Sequence, residues 1–360
     1  MDFDWASIWR FAMYTPKENY FAVLEHEVPE WTPICFFDSF STGFGSLPGP
    51  GFEKGDPVTA LDGFGIKWAY PASGGGAPVP EPGSAVMTAD DILDWESIIT
   101  FPDVDAFDWD SYAENEYALA KSKGIDFEKT PIDFGSGNGP FERLAALMSF
   151  EEALLAIATE PEASKALIER IVDYKIQVAE RAREYLHADM FTSYDDTCTQ
   201  RMPFVSPEQY REVIKPGTTR LYDAVKDLGM YPISHCCGFV EPLLEDMIET
   251  GAAAWTSAQP CNDLAGIIRK YDDRFTVIGG FDSNGPAGLA DADDETIVAD
   301  VVRCFDEYAN ADNGRGYIFW GFRMPNSTDP ADKARENGRV YAAAIKIAKE
   351  RSASRRKSVL

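Results

Sequence analysis

The sequence is short of histidine and of positive charge. Its 360 residues include 3 histidines, and 33 basic side chains stand against 60 acidic ones, which gives a formal net charge of −27 at pH 7. A surface this acidic repels phosphate backbones and anionic lipid headgroups, so we expect neither nucleic acid nor a membrane as a partner. The charge indicates little else, because acidic proteins are also simply soluble.

Long apolar runs are missing as well. No stretch approaches the roughly 20 apolar residues of a membrane span. The segment "MDFDWASIWRF" (1–11) lacks the basic start and the apolar run of a signal peptide. The 6 cysteines are dispersed along the chain instead of forming a disulfide framework. We therefore expect a protein of the reducing cytoplasm.

A strand-then-helix pattern is present, and it repeats from residue 131 onward. Strands are predicted at 32–40, 131–137, 189–196, 230–237, 253–260, 275–282 and 316–322. Repeats of this kind form parallel strands with right-handed crossovers, and they predict an α/β fold, a single (β/α)8 TIM barrel over 1–350. The pattern resolves seven strands, with 58–70 as the candidate for the eighth. An open doubly wound sheet is the alternative, although no G-x-G-x-x-G segment opens a helix after a strand.

Two segments stand apart from this pattern. Residues 41–90 follow the first strand and are rich in glycine and proline. They predict an insertion that is either an ordered loop over a site or a flexible segment. The basic tail at 351–360 is predicted to be disordered.

Polar and sulfur-containing side chains fall at the predicted carboxyl ends of the strands, where barrels carry catalytic groups. These residues are Asp38, Ser136, Asn138, Asp195, Asp196, His235, Cys237, Gln259, Cys261, Asp282, Trp320 and Arg323. The same rim is aromatic, with Phe37, Trp320 and Phe322 among its members. Part of that set belongs to the barrel core, and any part that faces the cavity favours an apolar or aromatic ligand.

The segment "PISHCCGF" (232–239) is the most distinctive stretch. Side chains alternate between the two faces of a strand, so His235 and Cys237 share one face and Cys236 points to the other. An imidazole and a thiolate in that arrangement can bind one zinc ion. The alternative is a buried strand end with a hydrogen-bonded histidine and two core thiols.

The loop that begins at Asp195 carries two adjacent carboxylates and, at Gln200, an amide. Asp195 and Asp196 can bind a polar substrate or act as acid and base. Turn hydrogen bonds within the loop are an equally good explanation.

Several segments resemble the uroporphyrinogen decarboxylase superfamily. "YDDTCTQRMPFVSPEQYREVIKP" (194–216) is similar to its central signature, while "HCCGFVEPLLEDMIETG" (235–251) and "VIGGFDSNGP" (277–286) are similar to later blocks. The resemblance covers nearly the whole chain and implies a single (β/α)8 barrel. The decarboxylase itself binds a polyanionic porphyrinogen through an arginine-containing segment after the first strand. Here "FFDSFSTGFGS" (36–46) has an aspartate and no arginine, which argues against that activity.

The resemblance instead favours the corrinoid-dependent methyltransferase branch. The zinc signature of that branch is H-x-C on one strand and a cysteine near the last strand. His235 and Cys237 match the first part, but Phe322 stands where the last cysteine is expected. Cys261 is the candidate substitute ligand, with Asp282 and Asp195 as further options, or the zinc site has been lost.

An incomplete zinc site beside aromatic residues at the strand ends favours O-demethylation. In that reaction a methoxylated, aromatic substrate gives its methyl group to the Co(I) of a separate corrinoid protein, which carries cobalamin. The alternatives are zinc-dependent methyl transfer from a methyl-corrinoid to a thiol or folate, and a degenerate barrel that binds a small ligand. A homodimer is left open. The implied catalytic residues are Asp38, Asp195, Asp196 and His235; the implied substrate-binding residues are Phe37, Gln200, Asp282, Trp320 and Phe322; the implied zinc ligands are His235, Cys237 and Cys261.

Overall fold

The computed structural model describes residues 12–49, 59–71 and 77–359. The strands are β1 (Phe40–Phe44), β2 (Thr59–Leu61), β3 (Lys67–Ala69), β4 (Val79–Pro80), β5 (Ile132–Ser136), β6 (Met190–Tyr194), β7 (Tyr231–His235), β8 (Ala254–Ala258), β9 (Thr276–Gly280) and β10 (Tyr317–Trp320). The α-helices are α1 (Pro16–Leu24), α2 (Trp95–Ile98), α3 (Trp109–Ser122), α4 (Pro140–Met148), α5 (Phe150–Thr159), α6 (Pro161–Leu186), α7 (Pro207–Gln209), α8 (Lys215–Asp227), α9 (Leu244–Glu249), α10 (Leu264–Tyr271), α11 (Asp294–Glu307) and α12 (Pro330–Val359).

Seven of these strands form one curled parallel sheet, in the order β1-β5-β6-β7-β8-β9-β10. The order follows the chain without a reversal, so the doubly wound alternative is wrong. Helices connect the strands, as parallel pairing requires. All the carboxyl ends of the strands therefore lie at one end of the sheet.

The first strand begins later than the sequence predicts. Residues 35–39 form a turn, with Phe36 at a φ of +62°, and only then does β1 start at Phe40. The Asp38 carboxylate stabilises this turn by accepting hydrogen bonds from the Ile34 amide at 2.8 Å and the Trp31 indole at 3.2 Å. Ile34 makes a parallel bridge to Phe319 of β10 while β1 pairs with β5. One chain segment thus contacts both edges of the curled sheet.

The stretch at 58–70 does form strands, but not an eighth strand of the parallel sheet. Strands β2, β3 and β4 make a separate three-stranded antiparallel sheet within the insertion. The prediction was wrong because a short strand pattern does not specify its pairing partner. Residues 50–58 and 72–76 of the insertion lie outside the described residues.

Helix α1 closes the amino end of the sheet. Thr15 and Glu18 form a capping box around Pro16. Lys17 forms an ion pair at 2.8 Å with Asp189, immediately before β6. Apolar side chains of α1 pack against inward-facing strand residues, namely Met190, Ile233, Ala254, Ile278 and Ile318. Among the described residues, α1 therefore covers the amino end of the sheet and leaves the carboxyl end open.

The basic tail is helical where the structure describes it. Helix α12 continues through 351–359. Leu360 lies outside the described residues. Among the described helices, none is both long enough and apolar enough to cross a membrane.

Candidate site at the carboxyl ends of the strands

Three potential metal ligands meet at the ends of two neighbouring strands. Asp196 follows β6, while His235 ends β7 and Cys237 lies two residues further along; their ligand atoms all lie within 4.8 Å of one another. We call these three residues the strand-end cluster. Cys236 is buried in the main core, as the alternation of side chains along a strand predicts.

Direct contacts hold the cluster together. Asp196 Oδ1 accepts a hydrogen bond from the Cys237 amide at 2.6 Å and lies 4.0 Å from His235 Nε2. Cys237 Sγ lies 3.7 Å from the same nitrogen and 3.0 Å from Ser257 Oγ on β8. Gly238 then lets the chain turn away, because a Cβ there would come within 2.3 Å of the Thr199 carbonyl oxygen.

Burial controls protonation in the cluster. It lowers the pKa of His235, against a smaller opposing effect of Asp196, and so favours the neutral imidazole. Burial also raises the pKa of Cys237, and the charge of Asp196 acts in the same direction. A neutral imidazole nitrogen, a carboxylate and a sulfur therefore share one small space.

The donor set fits a zinc ion. Nitrogen, oxygen and sulfur are all zinc ligands, and three protein ligands leave one coordination position open. One feature departs from common zinc sites: His235 Nδ1 is buried without a hydrogen-bond partner among the described residues. Asp196 occupies the third place for which the sequence analysis offers Cys261. That cysteine is exposed, lies outside the cluster, and accepts a 3.4 Å hydrogen bond from Asn262.

The two adjacent aspartates differ in their surroundings. The Asp195 carboxylate accepts hydrogen bonds from the Phe141 and Glu142 amides, at 3.3 and 2.8 Å, and so caps the start of α4. Enclosure by protein raises the pKa of Asp195 to about 7. Glu142 lies next to both aspartates, and burial followed by their charges raises its pKa as well. Asp196, not Asp195, is the member of the pair that faces the cluster.

Other predicted site residues lie apart from the cluster. Asp38 is buried in the turn before β1, and Phe37 belongs to the core. Gln200 is exposed and donates to Gln259. Asp282 accepts a 3.2 Å hydrogen bond from the amide of Asn284 in its own turn.

An aromatic wall borders the cluster on one side. The His235 ring lies 4.3 Å from the Tyr194 ring and 5.9 Å from the Trp320 indole. Trp320 stacks on Phe322 at 5.0 Å and meets Phe36 edge-on at 5.7 Å. The sequence predicts that Phe37 belongs to this wall. The turn at 35–39 shifts the alternation of side chains, so Phe36 contacts Trp320 instead. The cavity that Trp320 and Phe322 line has a volume of only about 10 Å³.

A much larger cavity opens on the other side of Asp196. Its volume is about 430 Å³, and it lies between the insertion and helices α4 and α5. We call it the insertion cavity. Its lining includes Trp68, Phe141, Glu142, Phe150, Asp196 and Phe204. Trp68 lies in the strand-like segment "GFGIKWAY" (63–70), but nothing in that pattern predicts a cavity wall.

Two buried cations lie behind this cavity. Arg143 of α4 pairs with Asp62 of the insertion at 2.7 Å and donates to Asn138 at 3.1 Å. Lys175 of α6 donates to Ser136 Oγ at 3.0 Å, and burial lowers its pKa to about 7. Nothing in the local sequence pattern marks these helical residues as buried charges.

Comparison with known proteins bears on the family and the fold. A family model described as uroporphyrinogen decarboxylase (URO-D) matches residues 127–335. A methyltransferase from Methanosarcina mazei is a similar solved structure, with a TM-score of 0.58 and 15% sequence identity; the match covers 93% of this chain and 99% of that one. At this identity the likeness shows the fold alone. No curated protein matches.

Two further solved structures are more distant. A GH113 beta-1,4-mannanase complex has a TM-score of 0.41 at 13% identity, covering 88% of this chain and 98% of that chain. An L-ribulose 3-epimerase has a TM-score of 0.39 at 14% identity, covering 69% and 92%.

Proposed function

This chain belongs to the uroporphyrinogen decarboxylase family, and on that premise we propose that it is a corrinoid-dependent methyltransferase. In this proposal it moves a methyl group from a methoxylated aromatic substrate to the Co(I) of a separate corrinoid protein. The observation that carries the proposal is the strand-end cluster beside a largely apolar cavity of about 430 Å³. A solved methyltransferase with the same fold supports this reaction class.

The decarboxylase activity has little support. A substrate with many carboxylates needs arginine or lysine to bind it. Among the described lining residues of the insertion cavity there is no basic side chain. The aromatic contacts favour a ring instead: Phe204 stacks on Phe141 at 6.0 Å and meets Phe150 edge-on at 4.6 Å.

The reaction breaks the methyl–oxygen bond of the ether and forms a cobalt–carbon bond. Co(I) supplies the electron pair of the new bond, and the ether oxygen keeps the pair of the broken one. The product is a phenolate that takes up a proton. Stabilising that developing negative charge is the main task for the protein, and losing one such contact typically lowers a rate by about 10²–10³.

The chain offers two ways to stabilise the leaving oxygen. Asp196, His235 and Cys237 would hold zinc, which when bound supplies a Lewis acid for the oxygen. His235 is the second candidate, as a proton donor to the leaving oxygen, and Asp196 Oδ1 lies 4.0 Å from its Nε2. The aromatic wall formed by Tyr194 and Trp320 orients the imidazole in either case.

Methyl transfer to a thiol or folate is the second candidate. Activating a thiol favours a zinc site rich in sulfur ligands, and the strand-end cluster contains one sulfur. This supports the demethylating direction over the methylation of a thiol.

We also propose that the segment around Ile34, which bridges to β10, takes the place of the eighth barrel strand.

The test is a screen of methoxylated arenes with purified protein, with and without a Co(I) corrinoid protein, measuring release of the phenol. We expect release only when the corrinoid protein is present. Phenol release without any corrinoid, or decarboxylation of uroporphyrinogen, would contradict the proposal. Ligand binding without any turnover would favour a degenerate binding barrel.

A further inference from the structure

The charge of the insertion cavity restricts its ligand. The acidic lining residues are Glu81, Glu142 and Asp196, and Asn138 and Ser149 are the neutral polar ones. Most of the remaining lining is apolar. Among the described residues that line this cavity, none is arginine, lysine or histidine.

The buried cations behind the cavity are already engaged by protein groups. Arg143 pairs with Asp62 at 2.7 Å and also donates to Asn138 and Ser46. Lys175 donates to Ser136 Oγ. Neither residue lines the cavity, so neither meets a ligand there.

The other nearby positive groups are also occupied. Lys67, on the insertion sheet, forms an ion pair at 2.8 Å with Glu81. The amides of Phe141 and Glu142 at the start of α4 donate to the Asp195 carboxylate. An anionic ligand would therefore lose its hydration without gaining a charged donor from the described protein groups, and it would face the Asp196 carboxylate.

The cavity nevertheless suits an aromatic ring. Phe141, Phe150 and Phe204 contact one another with ring centroids 4.6 to 6.0 Å apart. Trp68 lines the same space from the insertion side. A volume of about 430 Å³ accommodates a substituted aromatic molecule. Asp196 belongs to both the lining and the strand-end cluster, so a ring in this cavity lies beside the reaction centre.

We infer that the insertion cavity binds methyl aryl ethers that carry no anionic substituent, and that it discriminates against methoxylated aromatic carboxylates. This inference rests on the proposed function for the identity of the methyl donor. It adds a restriction on substrate class: the ring carries no anionic substituent, because the described lining offers the Asp196 carboxylate and no basic side chain.

The test compares two probes with the same ring, 1,2-dimethoxybenzene and 3,4-dimethoxybenzoate, by calorimetric binding in the absence of any corrinoid. We expect the neutral ether to bind at least about tenfold more tightly, the difference that one unfavourable charge in a partly buried site produces. Equal or tighter binding of the benzoate, or no binding of either probe, would overturn the inference.

A variant pair provides an internal check. Phe150→Arg places a cation in the lining at a side chain that is 43% exposed, so the fold should tolerate it. It should reduce the preference for the neutral ether by at least about tenfold. Leu155→Arg is the matched control, because this residue of α5 is 48% exposed and is not part of the lining. If both variants change the preference equally, the cavity is not the binding site.

The two proposals can fail separately. Tight binding of the neutral ether without methyl transfer to Co(I) would refute the proposed function and leave the inference about the cavity intact. Methyl transfer that proceeds equally well from the benzoate would refute the inference and leave the function intact.

Discussion

The strand-end cluster and the insertion cavity meet at Asp196, but different interactions hold them in place. Pairing of β6 with β7, together with the alternation of side chains along β7, brings the cluster together. The insertion side of the cavity is held by contacts between residues far apart in the sequence, among them the ion pair of Asp62 with Arg143, 81 residues away. In our proposal the chemistry therefore lies on the most regular part of the fold, and substrate selection lies on an insertion that core packing and a buried ion pair join to the helices.

The largest effect should come from breaking that ion pair. Asp62→Ala leaves the guanidinium of Arg143 buried without its carboxylate, and it removes a 3.0 Å hydrogen bond from the Trp68 indole. Losing one partner of a buried pair destabilises a protein by about 3–5 kcal/mol. Urea unfolding should show this loss, while Asp110→Ala, at an exposed position, should change stability by less than about 0.5 kcal/mol. A loss below about 1 kcal/mol for Asp62→Ala would show that the insertion is held by other contacts.

The next effect tests the cluster. His235→Ala should lower kcat by about 10²–10³, because the leaving oxygen loses its stabilising group, and it should also lower the zinc content of the purified protein. Cys261→Ser is the matched control, since Cys261 is exposed and outside the cluster. Elemental analysis and steady-state kinetics measure both quantities. Loss of zinc in Cys261→Ser would assign the third ligand to Cys261 and not to Asp196.

A buried carboxyl group, Asp133, makes the stability of the regular part of the fold depend on pH. Burial raises the pKa of Asp133 on β5 from 3.8 to about 6, despite a 2.8 Å hydrogen bond from Thr192 Oγ1. The folded state binds this proton more tightly than the unfolded state, so stability falls as pH rises from about 4 to about 6.

Asp133→Asn should remove this pH dependence. At pH 4 the variant and the parent protein differ by some amount in their free energy of unfolding. At pH 8 we expect this difference to favour the variant by roughly 2–3 kcal/mol more. Unfolding curves at the two pH values measure it, with Asp110→Asn as the exposed control. An unchanged pH profile would mean that Asp133 ionises in the folded protein as readily as in water.

A smaller effect decides which side of the cluster holds the ring. Phe204 lines the insertion cavity, whereas Phe322 lines a cavity of only about 10 Å³. Phe204→Ala should raise KM about tenfold with little change in kcat, as expected for a contact made equally in the ground and transition states. Phe322→Ala should change KM less. The reverse order would place the ring at the strand ends, where the sequence analysis puts it.

The sequence predicted the regular part well, for identifiable reasons. Strand alternation predicted that His235 and Cys237 share one face, and the structure brings their side chains into one cluster. The family resemblance is also confirmed.

Long-range contacts were harder to predict. The turn at 35–39 brings Phe36, not Phe37, to the aromatic wall, and Asp195, a predicted catalytic residue, caps the start of α4. The sequence around Arg143 predicts an ordinary helical residue. Arg143 is buried because the insertion, a distant segment, packs over it.

The most direct test of the account is a single-turnover experiment with a stoichiometric Co(I) corrinoid protein and a neutral methyl aryl ether. The absorption spectrum reports the cobalt state, and chromatography reports the phenol. We predict one phenol released for each Co(I) converted to methyl-cobalt, with neither change when this chain is left out. Phenol formed without loss of Co(I), or Co(I) that stays unchanged with every ether that binds, would contradict the account.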